Sequence, residues 1–420
     1  MRVEIERLAF GGKGIAREDG KVLFVEGGLP RDILDVKIIK DKGSYGEAVI
    51  HQIITPSPDR VEPPCPVFGI CGGCQLQNLS YPAQLREKRD ILRETIQRIG
   101  GIQNAEVEEI FSSSKEYGYR TRVLLSAWFY AGQWHIGYSQ ERSSRKVKIE
   151  SCPVSDEIIN EAIARLSQVL SSVGDPNYPL DKVHISSNGS SAYISLVPRY
   201  ARKPGSLGAL VKHLKRFPET ENVSVTGKDE AGFEAGVSGF SLFTAPSVFA
   251  QSNPSVNEAM IETVLKRAEL SGEEAVLDLY SGTGNFSIPL ARLAEKVVSV
   301  EVNKKAVAFA KKNATVNGIS NIVFENASCE EFLRGLDSEG GNFQLVVLDP
   351  PREGAKKIIS AIADLSPEKI IYVSCDPSTL ARDLKKFGES GFEPISVKPF
   401  DMFPQTYHIE SVSLLTKVRR

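Results

Sequence analysis

The most constraining feature of this 420-residue sequence is a regular alternation of helix-like and strand-like segments that begins at Asn253. Short apolar runs such as AVLDLY, KVVSVEV, FQLVVLD and KIIYVS are separated by longer amphipathic stretches such as KKAVAFAKKNATVNG. This alternation is typical of a doubly wound sheet of mostly parallel strands. Such sheets bind their ligands at the carboxyl ends of the strands, so we expect the functional site there.

The preceding part of the chain has two other patterns. Residues 2 to about 55 contain short alternating runs separated by Gly, Asp and Pro, which predicts several antiparallel strands and a small closed barrel of OB type. The proline-rich segment DRVEPPCPVF ends that pattern, and a helix is predicted over Tyr81–Ile99. Strand-like and helix-like pieces then alternate to about residue 245. We therefore expect an α/β multidomain protein with domains at residues 1–56, 57–248 and 249–420.

Composition limits the class of protein. Hydrophobic residues make up 41% and charged residues 25% of the chain, which is too apolar for a disordered protein and too interrupted by charge for a membrane protein. Charges also interrupt the first residues, MRVEIERLAF, where an export signal needs an apolar run, so we expect a cytoplasmic protein with no membrane partner. Because the net charge is −2, any nucleic acid has to bind at segregated basic patches.

Two basic runs are candidates for such patches. The first comprises Arg199, Tyr200, Arg202, Lys203, Lys212, Lys215, Arg216 and Phe217. The second comprises Arg142, Arg145, Lys146 and Lys148. Either run could follow a phosphate backbone, whereas a solvated face without a ligand is the alternative interpretation.

A glycine-rich turn follows the strand-like run Val276–Leu279. Gly282 and Gly284 would let a ligand approach the backbone, and the helix predicted next offers free N–H groups. Two glycines in a turn are weak evidence by themselves, since many turns between a strand and a helix contain them. Glu301 ends the next apolar run about 20 residues later, where a carboxylate can accept hydrogen bonds from ribose hydroxyls. The turn and Glu301 together predict a nucleotide-type site.

Two further residues could carry chemistry at the same edge of the sheet. Cys375 directly follows the run KIIYVS, and Asp376 and Pro377 are predicted to begin the next helix, whose dipole would favour a thiolate. Glu410 lies in YHIESV, where the two-residue period of a strand turns His408 and Glu410 to one face. An inert buried cysteine and a solvated glutamate are the structural alternatives. A thiolate and carboxylates in one cleft suit methylation at C5 of a pyrimidine, because C5 becomes nucleophilic only after a thiolate has added to C6.

The cysteines are unevenly distributed. Three of the six lie within ten residues of each other, in PPCPVFGICGGCQLQ. This clustering favours a metal of some kind, and six cysteines are too few for a disulfide scaffold. Four thiolates suit a structural zinc ion as well as an iron–sulfur cluster, and composition does not separate the two.

The order of these motifs resembles a known family. GTGN after one strand and DPP at 349–351 after a later one are similar to S-adenosylmethionine (SAM) methyltransferases, although Arg352 departs from the enzymes that methylate exocyclic amines. With FAQSN at 249–253, SCDPSTLARD at 374–383 and HIESV at 408–412, the chain resembles the RNA uracil-5-methyltransferase family, in its iron–sulfur-containing 23S rRNA branch. The resemblance covers nearly the whole chain and implies an N-terminal TRAM domain, an RNA-binding module, and a C-terminal Rossmann-like methyltransferase domain.

The resemblance also implies roles for individual residues. The residues expected to contact SAM are Gln251, Tyr280, Asn285, Glu301 and Asp349. Cys375 is expected to be the nucleophile and Glu410 the base that accepts the C5 proton. The ligands expected for a [4Fe–4S] cluster in the central domain are Cys65, Cys71, Cys74 and Cys152.

The resulting hypothesis is SAM-dependent methylation of C5 of a uridine in RNA, through a covalent bond between a cysteine and C6 of the uracil. The uridine has to leave its stack to reach a pocket, so single-stranded or loop RNA is the expected substrate. Because both accessory modules are present, 23S rRNA is preferred, with the T-loop uridine of tRNA and a non-catalytic RNA-binding module as alternatives. The motif order disfavours a cytosine-5 methyltransferase. We expect a monomer whose partner is RNA.

Overall fold

The computed structural model describes residues 1–172, 179–199, 207–226, 230, 232–336 and 341–418. The amino-terminal residues form a six-stranded sheet. Its strands are β1 (Arg2–Glu4), β2 (Arg7–Leu8), β3 (Gly14–Glu18), β4 (Lys21–Glu26), β5 (Ile33–Asp41) and β6 (Tyr45–Thr55). Their spatial order is β1-β5-β6-β4-β3-β2, with β4 parallel to β6 and the other neighbours antiparallel. Alternating apolar residues, among them Val3, Leu23 and Leu34, fill its core.

A long helix and a short strand come next. Helix α1 (Tyr81–Arg98) has Pro82 in its first turn, where the missing N–H costs no helical hydrogen bond, and it buries Leu92 and Ile96. Strand β7 (Glu106–Val107) follows it.

The central part of the chain forms a second six-stranded sheet. Its strands are β8 (Arg122–Tyr130), β9 (Gln133–Ser139), β10 (Lys146–Lys148), β11 (Leu180–Ser187), β12 (Ala192–Pro198) and β13 (Asn222–Val225), in the order β10-β9-β8-β11-β12-β13. The associated helices are α2 (Glu157–Ser172), α3 (Gly208–Leu214) and a 3-10 turn (Pro218–Thr220). Residues of α2 and α3 share one hydrophobic core with the sheet. A two-stranded ribbon of β14 (Phe233–Glu234) and β15 (Phe243–Thr244) follows.

The seven remaining strands form an eight-stranded sheet together with β7. They are β16 (Ala275–Leu279), β17 (Lys296–Val300), β18 (Ile322–Glu325), β19 (Leu345–Leu348), β20 (Lys369–Ser374), β21 (Phe392–Phe400) and β22 (Glu410–Lys417). The order is β18-β17-β16-β19-β20-β22-β21-β7. Strands β16 to β20 run parallel, and β22 is antiparallel to both β20 and β21. The strand order reverses between β16 and β19, where doubly wound sheets form their ligand crevice.

Helices cover both faces of this sheet. They are α4 (Pro254–Ala268), α5 (Ser287–Ala291), α6 (Lys304–Val316), α7 (Cys329–Gly335), α8 (Ile359–Asp364) and α9 (Pro377–Glu389). One core contains residues of α1, α8 and α9, and another contains residues of α4 and α5. Strand β7 pairs with β21. Thus α1 and β7, which precede the central sheet in sequence, pack on the C-terminal sheet.

Several sequence predictions can now be compared with the fold. The helix predicted over Tyr81–Ile99 and the doubly wound sheet are confirmed. Closure of the amino-terminal strands into a barrel and the domain bounds at 56 and 248 stay predictions. None of the helices in the described ranges is long and apolar enough to cross a membrane.

Candidate active site

A cleft of about 710 Å³ opens at the carboxyl ends of the parallel strands. Its wall takes residues from the turns after β16, β17, β19 and β20, and from the chain just before β22. The predicted site residues that line it are Gln251, Tyr280, Glu301, Asp349, Cys375 and Glu410. Topology therefore brings together residues that are up to 159 positions apart in sequence (410 minus 251).

The glycine turn after β16 forms one end of the cleft. Tyr280 has a φ of +61°, a strained value for a residue with a side chain, and Gly282 and Gly284 follow at +57° and +90°. The Glu301 carboxylate accepts hydrogen bonds from the Gly282 N–H at 3.0 Å and from the Asn303 N–H at 2.6 Å. One bond falls on each oxygen, so lone pairs remain to accept further hydrogen bonds from a ligand.

Asn285 is the one predicted contact that does not line the cleft. Its amide forms two hydrogen bonds with the amide of Asn257 in α4, at 2.9 Å and 3.0 Å. The pair ties the glycine turn to α4 and so helps to hold the turn in place. A contact of Asn285 with a cofactor stays a prediction.

Cys375 lies immediately after β20, and the predicted helix start beside it is confirmed. The Asp376 side chain accepts hydrogen bonds from the N–H groups of Ser378 and Thr379, both at 2.9 Å, and Pro377 is the first residue of α9. Burial, Glu410 and Asp349 raise the pKa of the Cys375 thiol to about 12. Burial and the two carboxyl groups therefore act against the helix dipole, whose first N–H groups Asp376 already occupies, and a contribution of the dipole to the thiolate stays a prediction.

The two carboxyl groups of the cleft also have shifted pKa values. Burial, and secondarily the neighbouring Asp349, raises the pKa of Glu410 to about 8, and Arg352 opposes the shift. Burial, and then Asp278, raises the pKa of Asp349 to about 7. Only 5% of Glu410 is exposed. Both groups can therefore exchange a proton near neutral pH, which suits general acid–base chemistry.

Arg352 and His408 also line the cleft, although no sequence motif predicted a role for either residue. A guanidinium nitrogen of Arg352 lies 3.0 Å from Nε2 of His408. Burial, Arg352, Lys88 and Arg120 lower the pKa of His408 to about 3, so the imidazole is neutral. Since a guanidinium can only donate, Nε2 accepts and the ring proton is on Nδ1. The signals in the sequence were Arg352 directly after DPP and His408 in register with Glu410.

The four cysteines predicted to hold a cluster lie around one small cavity. Cys65, Cys71, Cys74 and Cys152 all line it, and all are free thiols. Burial raises the pKa of Cys74 to about 11. Across the ranges that the structure describes, however, no group of three or more His, Cys, Asp or Glu side chains has the arrangement of a metal site. The common cavity is thus observed and a metal centre is not.

The two basic runs have different surroundings. In the first run Lys212, Lys215 and Arg216 are exposed. Phe217, however, packs against the central core and lies beneath the guanidinium of Arg165, with 4.6 Å to its ring centre, so its ring is already covered. Tyr200, Arg202 and Lys203 lie outside the described residues. In the second run Arg142 lies at the edge of a further pocket near the cleft.

Comparison with known proteins places this site in a family. Residues 240–418 match the family described as tRNA (Uracil-5-)-methyltransferase, and residues 1–50 match the TRAM domain. The crystal structure of Pyrococcus abyssi tRNA (uracil-54, C5)-methyltransferase in complex with S-adenosyl-L-homocysteine superposes with a TM-score of 0.71 at 24% identity, over 99% of this chain and 100% of that chain. At that identity the likeness shows a shared fold.

Two relatives extend over almost the whole chain. An uncharacterised RNA methyltransferase of Halalkalibacterium halodurans is 32% identical over 99% of this chain and 96% of its own length. The 23S rRNA (uracil(1939)-C(5))-methyltransferase RlmD of Vibrio parahaemolyticus is 33% identical over 99% of this chain and 95% of its own length. The chain therefore belongs to the RNA uracil-5-methyltransferase family, with an N-terminal TRAM domain, and is an RNA methyltransferase.

Proposed function

We propose that this protein methylates C5 of a uridine in 23S rRNA through a covalent bond between Cys375 and C6 of the uracil. The observation that carries the proposal is the meeting of Cys375, Asp349 and Glu410 in one cleft of a chain that belongs to this family. The preference for 23S rRNA rests on the Vibrio parahaemolyticus relative, whose name specifies that substrate. The alternative substrate is the tRNA uridine named for the Pyrococcus abyssi enzyme.

We also propose that SAM binds at the glycine-turn end of the cleft. The residues proposed to contact it are Gln251, Tyr280, Asn285, Glu301 and Asp349. SAM supplies an electrophilic methyl group when it is bound. The lone pairs of Glu301 are suited to its hydroxyl groups, because two backbone N–H groups hold the carboxylate in place before a ligand arrives.

The proposed reaction needs two proton transfers to carboxylates of the cleft. The Cys375 thiol gives its proton to the Asp349 carboxylate, Sγ forms a bond to C6, and the electron pair of the C5–C6 double bond moves to C5. C5 then takes the methyl group of SAM as the bond from that methyl group to the sulfonium sulfur breaks, so that S-adenosylhomocysteine is the leaving group. Glu410, as the carboxylate, removes the remaining C5 proton, and the S–C6 bond breaks to release Cys375. A base with a pKa of about 8 can take a proton from carbon and return it to water near neutral pH.

The test uses methyl-labelled SAM with unmodified 23S rRNA and unmodified tRNA in separate reactions. The digested nucleosides are then separated by chromatography. We expect label in 5-methyluridine from 23S rRNA with the wild type and none with Cys375→Ala. Label from tRNA alone would identify tRNA, and not 23S rRNA, as the substrate. Label in another nucleoside, or equal label with Cys375→Ala, would contradict the thiolate mechanism.

A second proposal concerns the cysteine cavity. We propose that Cys65, Cys71, Cys74 and Cys152 bind a [4Fe–4S] cluster that joins the loop at 65–74 to the start of the α2 region. Four free thiols around one cavity are a donor set that suits iron–sulfur clusters. Zinc is the competing occupant because the cavity, at about 30 Å³, is small and a single ion needs less separation of the thiols.

The test is anaerobic purification followed by analysis of iron, acid-labile sulfide and zinc. We expect about four iron and four sulfide per chain, as the cluster formula requires. One zinc per chain with no sulfide would contradict the iron–sulfur cluster but would show that the four cysteines bind a metal. The absence of any metal would contradict both the cluster and the zinc site.

A further inference from the structure

A second pocket lies beside the catalytic cleft. It has a volume of about 550 Å³ and is formed by four segments of chain that are distant in sequence. We call it the flanking pocket, and its lining residues are Phe10 and Gly11, Gly72, Gly73 and Gln75, the segment 138–142, and Tyr407. The first of these segments lies in the turn between β2 and β3 of the TRAM sheet, the third begins at the end of β9 in the central sheet, and Tyr407 precedes β22. The pocket therefore forms where parts of the chain that belong to all three sheets approach one another.

The flanking pocket shares a wall with the cleft. Gly72 and Gly73 line both of them. Tyr407 lines the flanking pocket, while its neighbour His408 lines the cleft. A polynucleotide that places one base in the cleft therefore has an adjoining space for the next nucleotide, on the side of the TRAM sheet.

Aromatic rings connect the two spaces. The ring centres of Phe403 and His408 are 5.7 Å apart, those of His408 and Tyr407 are 4.3 Å apart, and those of Tyr407 and Phe10 are 5.3 Å apart with the planes at 90°. Phe10 and Tyr407 are each half-buried, so parts of both rings face the pocket. Unpaired bases are bound in this way, by stacking on aromatic side chains.

Backbone contacts hold the walls in place. The Gly72 N–H donates to the Ser139 carbonyl at 3.0 Å, and a Cβ on Gly72 would come within 2.9 Å of the Glu141 backbone, which explains the need for glycine there. The N–H groups of Gln75 and Leu76 both donate to the Gln405 carbonyl, at 3.1 Å and 3.0 Å. The pocket is therefore formed before a ligand binds, which reduces the entropic cost of binding.

The polar groups of the pocket suit a nucleotide better than a purely apolar ligand. Gln140 provides an amide that can hydrogen-bond to a base edge, whereas Nε2 of Gln75 donates to the Gly72 carbonyl at 3.0 Å and helps to hold the wall. Arg142, whose side chain is 74% exposed, is available for a phosphate, since its contact with Glu141 is a weak one of 3.5 Å.

We propose that the flanking pocket binds the nucleotide next to the target uridine, with its base against Tyr407 and Phe10. The proposal rests on the proposed function and deepens it, because it makes recognition depend on a second unstacked base. It also gives the TRAM domain a direct contact, through Phe10, with a nucleotide adjacent to the reaction.

The experiment combines protein variants with RNA lacking single bases. A short single-stranded fragment of 23S rRNA around the uridine that the wild type methylates is synthesised with one abasic site at each flanking position in turn. The variants are Phe10→Leu and Tyr407→Leu, which keep apolar bulk and remove the ring. The matched control is Tyr130→Leu, because Tyr130 is 71% exposed and lies at the opposite end of the β8–β9 hairpin from Ser139.

We expect one flanking abasic position to lower kcat/KM of the wild type by about 5-fold to 150-fold, the range for loss of one stacked base. Phe10→Leu and Tyr407→Leu should lower kcat/KM on the intact fragment and be insensitive to that same abasic position. Tyr130→Leu should behave as the wild type does. SAM binding measured by calorimetry should be unchanged in Phe10→Leu, which shows that the fold and the cleft are intact.

Equal abasic losses in the wild type and in both ring variants would overturn the proposal while leaving the proposed function in place. If the wild type methylated no RNA, the proposed function would fail, and the same comparison would be made by filter binding of 23S rRNA transcripts. Unchanged affinity in both ring variants would then count against the flanking pocket as well.

Discussion

The catalytic cleft and the cysteine cavity are both lined by half-buried cysteine side chains, yet their surroundings differ. The Cys375 thiol shares its cleft with two carboxyl groups and a guanidinium, in a space of about 710 Å³. Cys65, Cys71, Cys74 and Cys152 line a space of about 30 Å³ whose wall contains one charged side chain, Arg120. Arg120 also lines the cleft, so the two sites share a wall.

This difference shows that the surroundings of a cysteine decide whether it is suited to catalysis or to metal binding. In the cleft, acids with pKa values of about 7 and 8 lie beside the thiol, so protons can be exchanged as bonds to carbon form and break. The small cavity is lined by four thiols and has no carboxyl group in its wall, which suits binding of a soft cation. Each of the following predictions changes one side of this comparison.

The largest expected effect is on methyl transfer, and it distinguishes Cys375 from the cysteines of the small cavity. Cys375→Ala should lower methyl transfer by on the order of 10⁴-fold or more, because the nucleophile is lost, and should leave the metal content unchanged. Cys74→Ala should lose most of the bound metal and lower the melting temperature. Label transfer and metal analysis on both variants check the prediction. Loss of metal in Cys375→Ala would mean that the two sites are not independent.

Replacement of the base should stop the reaction at a later point. Glu410→Gln should lower turnover by about 10²-fold to 10⁴-fold, because the C5 proton has no acceptor and the S–C6 bond cannot break. A covalent protein–RNA complex should therefore accumulate, visible as a slowly migrating band in denaturing gels. Cys375→Ala provides the control without a band. An equal absence of the band in Glu410→Gln would argue that Glu410 acts before the addition to C6.

The pH dependence should follow the carboxyl groups. Glu410 acts as a base only when ionised, so the single-turnover rate should rise about tenfold per pH unit below its pKa of about 8 and level off above it. Arg352 opposes the rise in that pKa, so Arg352→Ala should shift the profile to higher pH. A profile that Arg352→Ala does not move would assign the titration to another group.

The raised pKa of Glu410 should also make the stability of the folded protein depend on pH. The pKa of Glu410 is raised above its ordinary value of 4.5, so the folded protein binds more protons than the unfolded chain. The resulting stabilisation is present below about pH 4.5 and is lost as the pH rises through about 8. Glu410→Gln should therefore have a flatter dependence of melting temperature on pH than the wild type.

The smallest effect concerns Asn285. Asn285→Ala and Asn257→Ala should each lower the free energy of unfolding by about 1 kcal/mol, because each breaks the same pair of hydrogen bonds. If Asn285 also contacts SAM, only Asn285→Ala should raise the KM for SAM. Chemical denaturation and initial rates on both variants give the answer, and equal KM values would restrict Asn285 to holding the turn.

Much of the site could be predicted because, in a doubly wound sheet, residues that follow successive strands in the sequence lie at the same edge of the sheet. Cys375 and Asp349 each follow an apolar run, and the carboxyl ends of parallel strands meet at one edge of a sheet. Glu410 was placed by strand periodicity. The Arg352–His408 pair was missed, because the loop after DPP and the chain before β22 meet only in the folded state.

The sequence by itself determined the alternation that makes a doubly wound sheet, the residues at its strand ends and the membership of a family. These depend on local periodicity and on short motifs. Only the tertiary structure decided that α1 and β7 pack on the C-terminal sheet, that Asn285 pairs with Asn257, and that Cys375 is protonated in the free protein. Burial and the interaction of charges depend on distances between segments far apart in sequence, which no local pattern contains.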